Sequence, residues 1–201
     1  MTIKKFESVF QNRRVGIQDA VGEYAILLPL VQHEGELSLI FEERADTLSG
    51  HHSEVCFPGG RLEASESPLE AALRETFEEI GLSNLRIIAP LDVIQDISDR
   101  VIYPFLAEAD PAELAHLVIN SDEVKEVFYV PISALLDQTP YLYTCPVTAE
   151  SNDFPYERIG LSDYAFRTGT MTVPIYKYQG HIIWGMTGRT VRRLLQVLQS
   201  R

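Results

Sequence analysis

The stretch GGRLEASESPLEAALRETFEEIGL, residues 59–82, carries its own start and stop signals. Ser67 is followed by Pro68 and, three residues on, by Glu70, which is a capping box with proline at the first helical position. Gly81 supplies a left-handed stop. Together these predict a helix from about Pro68 to Ile80. At about 100° per residue, Leu69, Leu73, Thr76, Phe77 and Ile80 gather on one side, the side expected to dock. Glu75, Glu78 and Glu79 then fall within an arc of roughly 100° on the other side.

Like charges at this spacing repel by a few tenths of a kcal/mol per pair. A solvated acidic face is the ordinary reading of a Glu-rich surface helix. Here the carboxylates sit in the C-terminal half, where the helix dipole disfavours them, and Arg74 is the one basic residue nearby. The preceding FPGG, residues 57–60, allows the backbone to come close to whatever the carboxylates bind, because glycine has no side chain to obstruct it. Three carboxylates plus a backbone carbonyl form a hard-oxygen site suited to Mg²⁺ or Mn²⁺. Such an ion relieves the repulsion and turns an acidic surface into a phosphate-binding one.

The charge balance requires that help. Lys and Arg number 17 against 29 Asp and Glu, a formal net charge of -12. This works against an extended grip on a nucleic-acid backbone, so an anionic small molecule is expected to meet the protein through a cation. A chain of 201 residues with 45% hydrophobic content is read as one domain, 1–201. Cys56 and Cys145 are too few for a disulfide framework or a zinc site. The N-terminal residues lack the apolar run of a signal peptide, and YAILLPLV is too short to cross a bilayer. A cytoplasmic protein is expected, with no membrane partner; a homodimer is admissible.

No internal repeat is evident, and the polar stretch TAESNDFPYERIG, residues 148–160, is the nearest candidate for a boundary. Residues 4–11 read as a short helix. YAILLPLV and LSLIFEE read as strands joined by QHEGE, a connection suited to a hairpin. Further strands are expected in LRIIAPLDVI, VIYPFLAEA, VKEVFYVPI, TVPIYKY and HIIWGM. A final helix is expected in TGRTVRRLLQVLQSR, with Thr187 as its N-cap. Strands interleaved with helices predict an α/β fold with a mixed sheet and helices on its faces.

Residues 60–82 resemble the Nudix box: Gly60, Glu66, Arg74, Glu75, Glu78, Glu79, Gly81 and Leu82 all fall in register, and Thr76 departs from the usual bulky apolar residue. The resemblance implies a Nudix-type α/β/α sandwich and Mg²⁺- or Mn²⁺-dependent hydrolysis of a nucleoside diphosphate linked to another group. By position it implies that the Gly60 carbonyl, Glu75, Glu78 and Glu79 hold metal. Glu66 and Arg74 form a supporting ion pair, and Gly59 supports the loop. RADTLSGHHSEVCFPGG, residues 44–60, resembles the segment before the box in coenzyme A pyrophosphatases. Arg44, Ala45, Val55, Phe57, Pro58, Gly59 and Gly60 agree with it. Ser49 stands where that subgroup has Arg, Ser53 where it has Gly, and Glu42 where it has Thr. SDEVKEVFYVPISALL and WGMTGRTVRRLL resemble the same subgroup.

The implied activity is hydrolysis of coenzyme A or its derivatives to 3',5'-ADP and 4'-phosphopantetheine. Arg44 is a candidate phosphate contact. Glu78 and Glu123 are the candidate bases, with Glu126 beside them, although Glu123 and Glu126 read equally well as surface charges. His51 and His52, adjacent on a loop, are expected to face solvent. Two other readings stay open: a Nudix diphosphatase for ADP-ribose or NADH, and a non-catalytic nucleotide-binding protein with the same fold.

Overall fold

The computed structural model describes residues 1–13, 15–46, 53–149 and 153–200. The elements in chain order are α1 (Ile3–Phe10), β1 (Gly22–His33), β2 (Glu36–Arg44), β3 (Val55–Cys56), β4 (Gly59–Arg61), α2 (Pro68–Ile80), β5 (Leu85–Pro90), β6 (Ile94–Gln95), β7 (Arg100–Ala109), β8 (Val124–Pro131), α3 (Ile132–Leu136), β9 (Tyr141–Val147), β10 (Gly169–Tyr178), β11 (His181–Ile183) and α4 (Gly185–Gln199). The chain forms two compact units, Met1–Leu30 with Pro58–Asn120, and Val31–Phe57 with Ser121–Arg201. Residues 148–160 lie wholly inside the second, so that polar stretch divides nothing.

In the first unit β1 runs parallel to β7, from Gly22 opposite Arg100 to Leu30 opposite Glu108. β5 and β6 pair with β7 antiparallel, and β4 pairs with β1 antiparallel. The result is the mixed sheet expected. β1 carries five successive buried residues, Ala25 to Pro29, as a strand covered on both faces should.

α2 has the bounds, the reciprocal Ser67–Glu70 capping box and the left-handed Gly81 that the sequence predicts. Its docking face differs from expectation. Ala71 and Ala72 pack with Ala25, Leu27 and Ala107, while Phe77 is 58% exposed. Two small residues bring the helix close to the strands, and that rotates the larger Leu69 and Leu73 to the margin and Phe77 outward. Thr76, at the family's apolar position, is fully buried and donates its hydroxyl to the Ala72 carbonyl at 2.6 Å. That bond satisfies the polar atom locally. The last helical carbonyls are also engaged: Ile80 and Glu79 accept from the backbone of Val118 and Asn120, as a buried helix end requires.

In the second unit β2 pairs antiparallel with β3 and with β8. The hairpin connection expected in QHEGE is a two-residue turn, Glu34 and Gly35, at positive φ of 50° and 85°. β9, β10 and β11 form a separate antiparallel sheet. β9 is a strand the sequence reading missed: most of it is exposed, so no in–out alternation marks it, although Tyr141, Tyr143 and Thr144 are strand formers. α4 packs on β10, with Gly188 so close that a Cβ there would lie 2.6 Å from the Pro174 carbonyl. The helix starts at Gly185 with Trp184 as N-cap and no side-chain cap. Thr187 is therefore inside the first turn, 6% exposed, because the helix begins three residues before the expected site.

Candidate active site

The predicted site residues of residues 59–82 converge within the first unit. β4 lays Gly59, Gly60 and Arg61 against Ile26, Ala25 and Tyr24 of β1. At Gly59 (φ 150°) an added Cβ would lie 2.2 Å from the Ala25 carbonyl oxygen. At Gly60 it would lie 2.3 Å from the carboxyl carbon of Glu75. The glycines therefore let β4 lie on β1 on one side and receive a carboxylate of α2 on the other.

Glu79 is only 2% exposed. Its Oε2 accepts the Gly59 N–H at 2.8 Å, a charge-assisted bond that makes burial of the carboxylate tolerable. The expected acidic arc is thus split: Glu79 turns in toward β4, Glu75 is partly buried, and Glu78 has a side chain 53% exposed.

Arg74 organises the remainder. Its Nε and Nη2 donate to the two oxygens of Glu66 at 2.9 and 3.1 Å. Nη1 donates to Glu75 Oε1 and to Glu78 Oε2, both at 2.9 Å. Nη2 also reaches the Arg61 carbonyl at 3.2 Å, a contact with no sequence signal because it joins a side chain to a backbone oxygen. The Glu66 hydrogen bonds, followed by those to Glu75 and Glu78, push the guanidinium's pKa up. The same bonds from Arg74, with the Glu63 N–H, hold Glu66 below the usual carboxylate range. The predicted Glu66–Arg74 pair is bidentate, and it extends to two of the three helix carboxylates.

The donor set fits a hard divalent cation. Glu75, Glu78 and Glu79 offer only oxygen, the Gly60 carbonyl belongs to the strand touching Glu75, and the missing Cβ at Gly60 is the space that carboxylate fills. Glu75 and Glu78 share one nitrogen of Arg74 while Glu79 faces Gly59. Among the described residues, the three-residue group whose ligand atoms all lie within 4.8 Å of one another is instead Glu43, Glu126 and His181.

Arg44 and Glu123 belong to the second unit. The Arg44 N–H donates to the Glu54 carbonyl at 3.0 Å, and the Glu123 carbonyl accepts from Ala45 at 2.8 Å. Glu123 is half-buried, whereas Glu126 is exposed and lies near His181. Glu42, at the threonine position, is 1% exposed and accepts from the Cys56 thiol. Ser53 takes φ 54°, the left-handed region that glycine enters without cost, so the usual glycine at this position has a backbone reason. Ser53 compensates through a hydrogen bond from its hydroxyl to Asp46 at 2.5 Å. Ser49, His51 and His52 lie outside the described residues.

Residues 23–144 match the NUDIX domain family. The chain is 33% identical over 190 residues to "Nudix hydrolase 3" of Caenorhabditis elegans, covering 92% of this chain and 77% of that one. It is 31% identical over 178 residues to "Mitochondrial coenzyme A diphosphatase NUDT8" of Homo sapiens, covering 87% and 68%. Among solved structures, a MutT/nudix family protein from Enterococcus faecalis superposes over 99% of this chain and 70% of its own, with a TM-score of 0.50 at 14% identity.

Proposed function

The chain belongs to the NUDIX domain family, and from that premise we propose that it hydrolyses the pyrophosphate bond of coenzyme A or its derivatives, giving 3',5'-ADP and 4'-phosphopantetheine or its acylated form. It is a Nudix hydrolase; the substrate is the proposal. The observation that carries it is the segment from Arg44 to Gly60, which matches the coenzyme A subgroup at seven positions named above and leads directly into β4. The relative named as a coenzyme A diphosphatase supports the same reading.

Glu75, Glu78, Glu79 and the Gly60 carbonyl hold Mg²⁺ or Mn²⁺ in this reading. A divalent ion there supplies charge neutralisation for the phosphate oxygens and a lowered pKa for attacking water. The chain's own residues do the positioning. The Gly59 N–H fixes Glu79, and Arg74 orients Glu75 and Glu78 while Glu66 fixes Arg74. Glu78, the most exposed of the three, is a base able to pass its proton to solvent, with Glu123 the alternative. Arg44 contacts a phosphate of the substrate. Neither Cys56 nor Cys145 is joined in a disulfide; a cytoplasmic location belongs to this reading.

The test is a panel of coenzyme A, acetyl-coenzyme A, ADP-ribose and NADH with Mg²⁺ or Mn²⁺, with products separated by chromatography. The highest kcat/KM for the coenzyme A pair, with 3',5'-ADP as product, is expected. Preference for ADP-ribose or NADH overturns the substrate assignment. No turnover of any of them favours a non-catalytic nucleotide binder.

A further inference from the structure

In the second unit, β2 and β8 place Glu43 directly opposite Glu126. Like charges at facing positions of an antiparallel pair destabilise it. His181, from β11, joins them: its Nδ1 lies 3.5 Å from Glu43 Oε2 and 3.7 Å from Glu126 Oε1. The imidazole is held in a fixed plane by parallel stacking on Phe128, with 3.7 Å between ring centroids and 6° between planes. Lys125 engages the other oxygen, Glu43 Oε1, at 2.6 Å, so it does not stand between the nitrogen and the two facing oxygens.

The separations decide what kind of cluster this is. They are longer than the roughly 2.7–3.2 Å of a good hydrogen bond. Ligands each about 2.1 Å from one tetrahedral ion lie about 3.4 Å apart. The nitrogen stands at nearly that spacing from each of two carboxylate oxygens, and the three atoms, on three strands, all lie within 4.8 Å of one another, as ligands around a shared centre do. We propose that Glu43, Glu126 and His181 form a second divalent-cation site, separate in its residues from the α2 carboxylates and suited to Zn²⁺ or a similar borderline ion. The imidazole donor sets the class: Mg²⁺ prefers oxygen alone, whereas Zn²⁺ takes nitrogen and carboxylate together. Three protein ligands leave a fourth position for water.

The proposal does not depend on the pyrophosphatase reading, and its test uses neither substrate nor turnover. Zn²⁺ is titrated into the ¹⁵N-labelled full chain while long-range ¹H–¹⁵N spectra follow the histidine side chains, with His181→Gln assigning the resonance. Saturable movement of His181 Nδ1 is expected, unchanged in Glu79→Gln. The double variant Glu43→Gln with Glu126→Gln is expected to lose at least the roughly 10- to 100-fold in affinity that an outer partner alone supplies at known sites. A His181 Nδ1 resonance unmoved at millimolar Zn²⁺, in the otherwise unaltered chain, overturns the proposal. So does a folded double variant that moves His181 at the same Zn²⁺ concentration as the parent.

Discussion

The Gly59 N–H donates to Glu79 Oε2 at 2.8 Å, tying the strand before the helix to the helix's last turn across 20 positions of sequence. Glu79 is therefore both a buried hydrogen-bond acceptor and a candidate metal ligand, and substitutions can separate these roles. Glutamine keeps an oxygen for Gly59 and removes the charge; alanine removes both. Glu79→Gln is expected to lose turnover by at least 100-fold while its metal-free urea midpoint changes little. Glu79→Ala is expected to lose turnover and about 1–3 kcal/mol of stability, because the partly buried Gly59 N–H loses its partner. Parallel urea titrations in chelator and assays with Mg²⁺ check both; an active Glu79→Gln removes the residue from the metal site.

The two glycines of β4 should fail in different ways when given a methyl group. Gly59→Ala drives a Cβ into the backbone of β1 at a positive φ, and a loss of about 2 kcal/mol or more is expected. Gly60→Ala meets the end of the Glu75 side chain, which can swing aside. Stability close to the parent with sharply reduced activity is expected there, measured by thermal melting and by turnover on the same preparations.

Acid stability should depend on Glu66. Its carboxyl is held below the ordinary value in the folded chain by Arg74 and the Glu63 N–H. Such a group contributes stability above the unfolded pKa, near 4.3, and loses it as pH falls through the lower folded value. Urea midpoints measured from pH 6 down to pH 3 are expected to fall more steeply for the parent than for Glu66→Gln, the difference opening below about pH 4.5.

Arg74→Lys should be far from neutral. A single ammonium cannot hold both oxygens of Glu66 and also bridge Glu75 and Glu78 as the guanidinium does. A fall in kcat of about 10-fold or more is expected, since loss of the partners that orient a metal's ligands commonly costs 10- to 100-fold. The apparent Mn²⁺ requirement should rise with it. Activity titrated against Mn²⁺ for parent and variant gives both numbers.

Removing divalent ions should abolish turnover and lower the melting temperature, both recovered with Mg²⁺ or Mn²⁺. An ion that binds only the folded chain stabilises it by mass action, about 2.7 kcal/mol at a hundredfold excess over Kd. Thermal melts in chelator and in millimolar Mg²⁺ measure the shift.

Much of α2 could be read from its own residues. Ser67, Pro68, Glu70 and Gly81 are local signals, and the structure reproduces both ends of the helix. The facing was less legible. Periodicity ranks positions by hydrophobicity, yet Phe77 points to solvent while Ala71 and Ala72 are buried, because the closeness of β1 and β7 selects small side chains there. β9 escaped for a related reason: a mostly exposed strand carries no burial pattern to read.

By itself the sequence determined the caps, the spacing of the glutamates and the glycines before them, because these depend on backbone conformation and short-range chemistry within one segment. Tertiary structure alone decided which carboxylate is buried on Gly59, how Arg74 divides its donors among Glu66, Glu75 and Glu78, and that Glu43, Glu126 and His181 meet. The first and the last depend on strand register and side-chain packing between segments 20 or more positions apart; the Arg74 contacts span only one to eight positions, but their division depends on where the loop carrying Glu66 lies against α2. No local pattern encodes such distances; the geometry exists only once the strands have paired.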